Sequence, residues 1–86
     1  MIYKFYYDSS HGWMEVRAAD LINLKIYDKI TSHSYMQGDV VYLEEDHDAG
    51  IFFQAYQAQY GKKPMIKEID HGDSSSIRQY CRFNKY

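Results

Sequence analysis

Five consecutive ionisable side chains stand in the stretch YLEEDHDAG, residues 42–50. They are Glu44, Glu45, Asp46, His47 and Asp48. Such a group can bind a metal ion, transfer protons, dock on a basic protein or begin a helix. The loop pattern of an EF-hand is absent here, and the His residues and the one Cys are scattered without the close pairing of a zinc site. The spacing therefore predicts no metal site and no cofactor.

The same stretch is typical of a helix start. Asp46 or Asp48 can accept hydrogen bonds as the N-cap, and carboxylates in a first turn favour the positive end of the helix dipole. Apolar residues then recur at helical spacing as far as Tyr60, and Gly61 stands where a left-handed C-cap is expected. We therefore predict the main helix at about residues 46–60.

A helix start uses only one or two of the four carboxylates, because capping and dipole effects fade beyond the first turn. The other carboxylates stand at the end of a predicted hairpin or just after it. The hairpin comprises residues 31–36 and 40–44 and turns at Gly38. We expect an acidic, tyrosine-rich surface that contacts a protein with a basic surface. The residues predicted for it are Tyr35, Tyr42, Glu44, Glu45, Asp46 and Asp48.

Catalysis is not expected from this sequence. A nucleophile needs a neighbouring base and an orienting group, and no such signature surrounds Cys81, Ser10 or Ser34. His33 and Glu44 fall on one face of the predicted hairpin, where an ordinary surface pair is a simpler interpretation than an acid–base dyad. We predict no catalytic residues.

The C-terminal segment SIRQYCRFNKY indicates a different kind of partner. It interleaves cations with aromatic residues, which is the composition that contacts phosphates and stacks on bases. A nucleic-acid-binding module is therefore the alternative function. The residues that would serve it are Arg78, Tyr80, Arg82 and Phe83, followed by Lys85 and Tyr86.

Composition limits the broader class. The 86 residues are 45% hydrophobic and 26% charged, which is typical of one globular domain covering residues 1–86. The net charge is −2, but residues 1–56 carry four Lys/Arg against nine Asp/Glu, whereas residues 57–86 carry six against three. A single Cys, no long apolar run and no signal-peptide pattern predict a soluble protein of the cytoplasm or of a host cytosol, without a membrane partner.

The remaining pattern predicts an α+β domain in the order β-β-α-β-β-α-β-(β). Strands are expected near 2–8, 13–17 and 65–69, and a short helix at about 18–24. The segment 77–83 fits either a last strand or an ordered tail. We expect an antiparallel sheet of four to six strands with one face on the main helix and the other largely exposed. The predicted core comprises Phe5, Val16, Leu21, Leu24, Val41, Leu43, Phe52 and Tyr56.

Several segments of this sequence resemble segments of other small proteins. HGWMEV, DKITSHSY, GDVVYLEED, DAGIFFQAY and IRQY resemble a group of short, mostly uncharacterised proteins encoded by phages, plasmids and related mobile elements. The shared pattern is HGW-x-x-V, then DKI-[ST]-x-x-SY-x-x-G, then VYLEED-x-D-[AS]-x-x-F, and it spans most of residues 6–82. Where such relatives favour Cys inside EED-x-D, this chain has His47, which weakens a thiol or metal role there.

The resemblance implies an accessory protein of a mobile element without implying an activity. Small proteins of that kind often bind and block a host machine, as anti-CRISPR and other anti-defence proteins do. Acidic side chains beside tyrosines suit a basic target, because they can imitate phosphates and steer association. We therefore expect a non-enzymatic inhibitor of a host protein or defence complex.

Overall fold

The computed structural model describes residues 2–84 of the chain. Its strands are β1 (Ile2–Tyr7), β2 (Gly12–Arg17), β3 (Tyr35–Gln37), β4 (Val40–Glu44), β5 (Met65–Asp70) and β6 (Cys81–Arg82). Its helices are α1 (Ala18–Asn23) and α2 (Asp48–Tyr60), and 3-10 turns cover Tyr27–Lys29 and Ser76–Gln79. The predicted α+β class and element order are confirmed.

The strands form one six-stranded sheet in the order β5-β1-β2-β4-β3-β6. The sheet is mixed, because β5 runs parallel to β1 while the other pairs are antiparallel. The expectation of a purely antiparallel sheet is corrected at this one pair. β4 and β5 run in the same direction, so the chain needs a crossover between them, and α2 supplies it.

One face of the sheet packs on the two helices. Phe52 on α2 is fully buried and lies edge-on to Tyr3 of β1, with ring centroids 5.3 Å apart. Of the predicted core, Phe5 and Leu24 are only partly buried and pack against the cluster. The other predicted members are buried, namely Val16, Leu21, Val41, Leu43, Phe52 and Tyr56.

The opposite face of the sheet is also covered, contrary to the prediction that it would be largely exposed. Trp13 and Tyr42 pack there with Ile77, which follows the loop after β5. Trp13 is only 2% exposed. The C-terminal segment returns over this face and joins β6 to β3, so its contacts could not be read from the local alternation in β2.

The helix α2 begins later and differently from the prediction. It starts at Asp48, and its N-cap His47 makes no side-chain capping hydrogen bond, so neither Asp46 nor Asp48 is the N-cap. Its end is as predicted, because Gly61 has φ 72° and its N–H donates to the Gln57 carbonyl. Within residues 2–84, no helix combines the length and the apolar character needed to cross a membrane.

Candidate functional site

Asp48 is the centre of a buried hydrogen-bond network. Its Oδ2 atom accepts from Thr31 N at 3.1 Å, from Thr31 Oγ1 at 2.8 Å and from Ser34 Oγ at 2.5 Å. The Asp48 side chain is fully buried. This carboxylate holds residues 31–34 as a turn, which explains why β3 starts at Tyr35 and not at Thr31. The prediction that Asp48 faces a partner is therefore corrected, since its carboxylate is unavailable in the folded chain.

The other three carboxylates stay near the surface but point to different sides. Glu44 is partly exposed at the end of β4, and Glu45 and Asp46 are exposed in the following turn. Glu44 and Asp46 line one open cleft, whereas Glu45 lines a second cleft on the other side. Alternation at the strand end produces this division. We call Glu44, Glu45 and Asp46 the acidic rim.

The first cleft brings together residues that are distant in the sequence. Its volume is about 600 Å³, and Trp13 forms part of its floor. Its walls combine the acidic rim with imidazoles and guanidinium groups. The lining residues are His11, Trp13, Thr31, His33, Tyr35, Glu44, Asp46, His47, Arg78 and Arg82.

The two predicted tyrosines have different exposures. Tyr35 is partly exposed and lines the cleft, with the Arg82 guanidinium 4.8 Å from its ring centroid. Tyr42 is only 8% exposed and packs against Tyr80 at a centroid distance of 5.2 Å. Burial raises the pKa of Tyr42 to about 12, and the Glu15 carboxylate adds to the shift. Tyr42 therefore supports the surface from beneath and is removed from the predicted contact set.

Arg78 is held by a bidentate pair with Asp8. The guanidinium Nε lies 2.8 Å from Asp8 Oδ2, and the terminal nitrogen NH2 lies 3.0 Å from Oδ1. The Arg78 hydrogen bonds hold the pKa of the Asp8 carboxyl well below its usual range, and N–H groups of Ser10, Ser75 and His11 lower it further. The guanidinium carbon also lies 5.2 Å from the Trp13 ring centroid. Arg78 thus fastens the C-terminal segment to the first hairpin.

The other residues predicted to bind nucleic acid differ in how far they are exposed to solvent. Arg82 is exposed and donates to the Ser32 carbonyl at 3.2 Å, and Tyr80 is partly buried on Tyr42. Phe83 is only 4% exposed and packs against Tyr27 at a centroid distance of 5.3 Å. Phe83 cannot stack on a base from this position, which corrects its predicted role. Lys85 and Tyr86 lie outside the described residues.

The structure also gathers ligand-type groups that sequence spacing did not connect. One ligand atom each from His11, Glu44 and Asp46 lies within 4.8 Å of the other two. His11 belongs to the turn between β1 and β2, so more than thirty positions separate it from Glu44. Only the pairing of β2 with β4, where Trp13 faces Glu44, brings these groups together. A local motif search has no signal for such a set.

Within residues 2–84, His33 shares a cleft with Glu44 and His71 contacts Ser75, so both His residues can be compared with a catalytic base. His33 and Glu44 line the same cleft, but no hydrogen bond joins their side chains in residues 2–84. His71 Nδ1 lies 2.6 Å from Ser75 Oγ, yet Ser75 is only 2% exposed and its hydroxyl caps the following turn by accepting from Ile77 N. The His71–Ser75 contact is best explained by that structural role.

Comparisons of the chain with protein-family models, with curated proteins and with solved structures found no match. Interpretation of the site therefore depends on its own residues.

Proposed function

We propose that this chain is a non-enzymatic accessory protein of a phage or other mobile element. It binds a host protein or defence complex that has a basic surface, and it inhibits that target in the host cytosol, as anti-CRISPR and other anti-defence proteins do. The contact surface is the acidic rim together with the exposed edge of Tyr35. The proposal combines the sequence resemblance with the charge arrangement described above.

The observation that carries the proposal is the absence of cations that pair with the rim. Within residues 2–84, no ion pair involves Glu44, Glu45 or Asp46. The two guanidinium groups that line the same cleft have other partners, since Arg78 binds Asp8 and Arg82 lies over Tyr35. Glu44 and Asp46 line the same cleft and repel each other by about 0.2–0.5 kcal/mol at exposed spacing. A basic partner relieves that repulsion.

The structure supports a rim that is held in place. Glu45 N donates to the Gly12 carbonyl at 3.0 Å, which ties the turn after β4 to the start of β2. Asp46 N donates to both Glu44 carboxylate oxygens at 3.0 Å. The buried Asp48 network is joined to the rim, because Ser34 Oγ donates to Asp48 and accepts from Glu44 N at 3.0 Å. A backbone that is already fixed beneath these charges reduces the conformational entropy lost on binding, which favours affinity.

Affinity capture from host lysate tests the proposal, with identification of the bound protein by mass spectrometry. The matched variants are Glu45→Lys/Asp46→Lys on the rim and Asp28→Lys/Asp73→Lys elsewhere, and all four positions are exposed. We expect the rim variant alone to lose the partner, and the wild-type chain to lower the activity of the purified partner. Equal capture by both variants, or capture without inhibition, would contradict the proposal.

Nucleic-acid binding is the second candidate, and the exposed pair of Arg82 over Tyr35 is the observation that favours it. It ranks second because Phe83 is buried, Arg78 is bound to Asp8, and the adjacent acidic rim repels phosphates. A gel shift with single-stranded DNA at low salt tests it. A shift that disappears in Arg82→Ala would favour this candidate, and no shift at tens of micromolar protein would remove it.

A further inference from the structure

We propose that His11, Glu44 and Asp46 bind a divalent transition-metal cation of the Zn²⁺ class at the edge of the first cleft. The ligand atoms of these three side chains already lie within 4.8 Å of one another. They come from two separate places in the chain, the turn before β2 and the end of β4. The inference is tested on the purified chain alone, without the proposed partner; Glu44 and Asp46 also belong to the acidic rim, so a cation bound there would change the charge that a basic partner meets.

The donor set matches this class of cation. One imidazole nitrogen and two carboxylates supply two negative charges, and the imidazole distinguishes the set from the all-oxygen sites preferred by Ca²⁺ and Mg²⁺. Zn²⁺ holds such ligands at about 2.0–2.2 Å, so ligand atoms in a tetrahedral site stand about 3.4 Å apart. The side chains must therefore close by at most about 1.4 Å, which the exposed His11 and Asp46 can do by rotation.

The backbone beneath the three ligands is already fixed. His11 N donates to Asp8 Oδ1 at 2.9 Å, and Asp8 is itself fastened by Arg78. Asp46 N orients the Glu44 carboxylate, and the hydrogen bond from Glu45 N to the Gly12 carbonyl joins the two segments. Each carboxylate oxygen that accepts one hydrogen bond retains a further lone pair for a metal ion. Binding therefore requires side-chain rotation without rebuilding the backbone.

The rest of the cleft is compatible with a bound cation. His33 and His47 line the same cleft, although their atoms are not among the mutually close set. The charge of Arg78 is balanced by Asp8, which reduces its repulsion of a second cation. Three protein ligands leave one position of a tetrahedral ion open to water or to a partner group.

Isothermal titration of the purified chain with ZnCl₂ tests the inference. We expect one saturable site, weakened at least about tenfold in His11→Ala and in Asp46→Asn. The matched control is His33→Ala, which removes an exposed imidazole of the same cleft and should change the affinity less than about threefold. No saturable binding up to about 1 mM Zn²⁺ would overturn the inference. Wild-type affinity in His11→Ala, or an equal loss in His33→Ala, would also overturn it.

Nuclear magnetic resonance with Co²⁺, a paramagnetic ion with a higher affinity than Mn²⁺ for imidazole and carboxylate ligands, provides a second measurement that does not depend on the variants. The ion should shift and broaden the ring resonances of His11 before those of His71, which contacts Tyr6 at a centroid distance of 4.6 Å. Equal effects on both imidazoles at the same Co²⁺ concentration would indicate adventitious surface binding and contradict the site. Far-ultraviolet circular dichroism of each variant checks that the exposed substitutions leave the fold intact.

Discussion

Replacement of Asp48 by Ala should destabilise the fold strongly, although this residue stands among four other ionisable positions. Its Oδ2 atom accepts three hydrogen bonds from Thr31 and Ser34, and its side chain is fully buried. Hydrogen bonds to a charged group contribute about 1.5–3 kcal/mol each. The net loss is smaller than the sum of the three bonds, because the Ala variant also avoids the cost of burying a charge. The variant leaves the buried donors of Thr31 and Ser34 without this acceptor, at about 1–3 kcal/mol for each unsatisfied group, so we expect a net loss of about 3–5 kcal/mol.

Urea unfolding followed by Trp13 fluorescence measures this loss, because Trp13 is buried in the fold and exposed on unfolding. The matched control is Asp46→Ala, which removes the exposed carboxylate two positions away and should change the free energy of unfolding by less than about 0.5 kcal/mol. A loss below about 1 kcal/mol for Asp48→Ala would mean that the turn at residues 31–34 does not depend on this carboxylate.

Four further predictions concern the packing and the Asp8–Arg78 ion pair. Gly12→Ala should lower the free energy of unfolding by about 1–3 kcal/mol in urea, because a Cβ there would lie 2.6 Å from Cε1 and Cζ of Phe5. Gly50→Ala has open space at its Cβ and should instead stabilise α2 by about 0.5–1 kcal/mol. Phe52→Ala should cost about 3–5 kcal/mol by the same assay, and a loss under about 1 kcal/mol would show that Phe52 is not in the core. Because the pKa of Asp8 is lowered in the fold, the unfolded chain binds more protons in acid, so stability should fall as the pH decreases from about 5 towards 2. Urea midpoints measured across that range should change less in Asp8→Asn than in the wild type, and equal slopes would contradict the role of the Arg78 pair.

Much of the fold follows from local patterns. The helical spacing from Ala49 to Tyr60 and the left-handed position at Gly61 suffice to place α2 and its end. The turn at Gly38, which has φ 63°, likewise places the β3–β4 hairpin. The parallel pairing of β5 with β1 was not predictable in this way, because it depends on where α2 returns the chain after crossing the sheet.

The candidate site was only partly visible in the sequence. Glu44, Glu45 and Asp46 could be predicted as a group because they are consecutive, but composition alone cannot distinguish an exposed carboxylate from a buried one. Asp48 is buried because Thr31 and Ser34 supply donors from another segment. Tyr42 is buried because the C-terminal segment returns over it, and the proximity of His11 likewise depends on strand pairing.

Binding to the partner should require the negative charge of the acidic rim, and the affinity of the captured partner for matched variants measures this requirement. The purified partner is titrated against the wild-type chain, Glu45→Lys/Asp46→Lys and Asp28→Lys/Asp73→Lys, which change the net charge equally. We predict that the rim variant loses at least about tenfold in affinity, or about 1.4 kcal/mol, while the control variant stays within about twofold of wild type. An equal loss in both variants would mean that net charge and not the rim governs binding, and wild-type affinity in both would mean that the rim is not the contact surface.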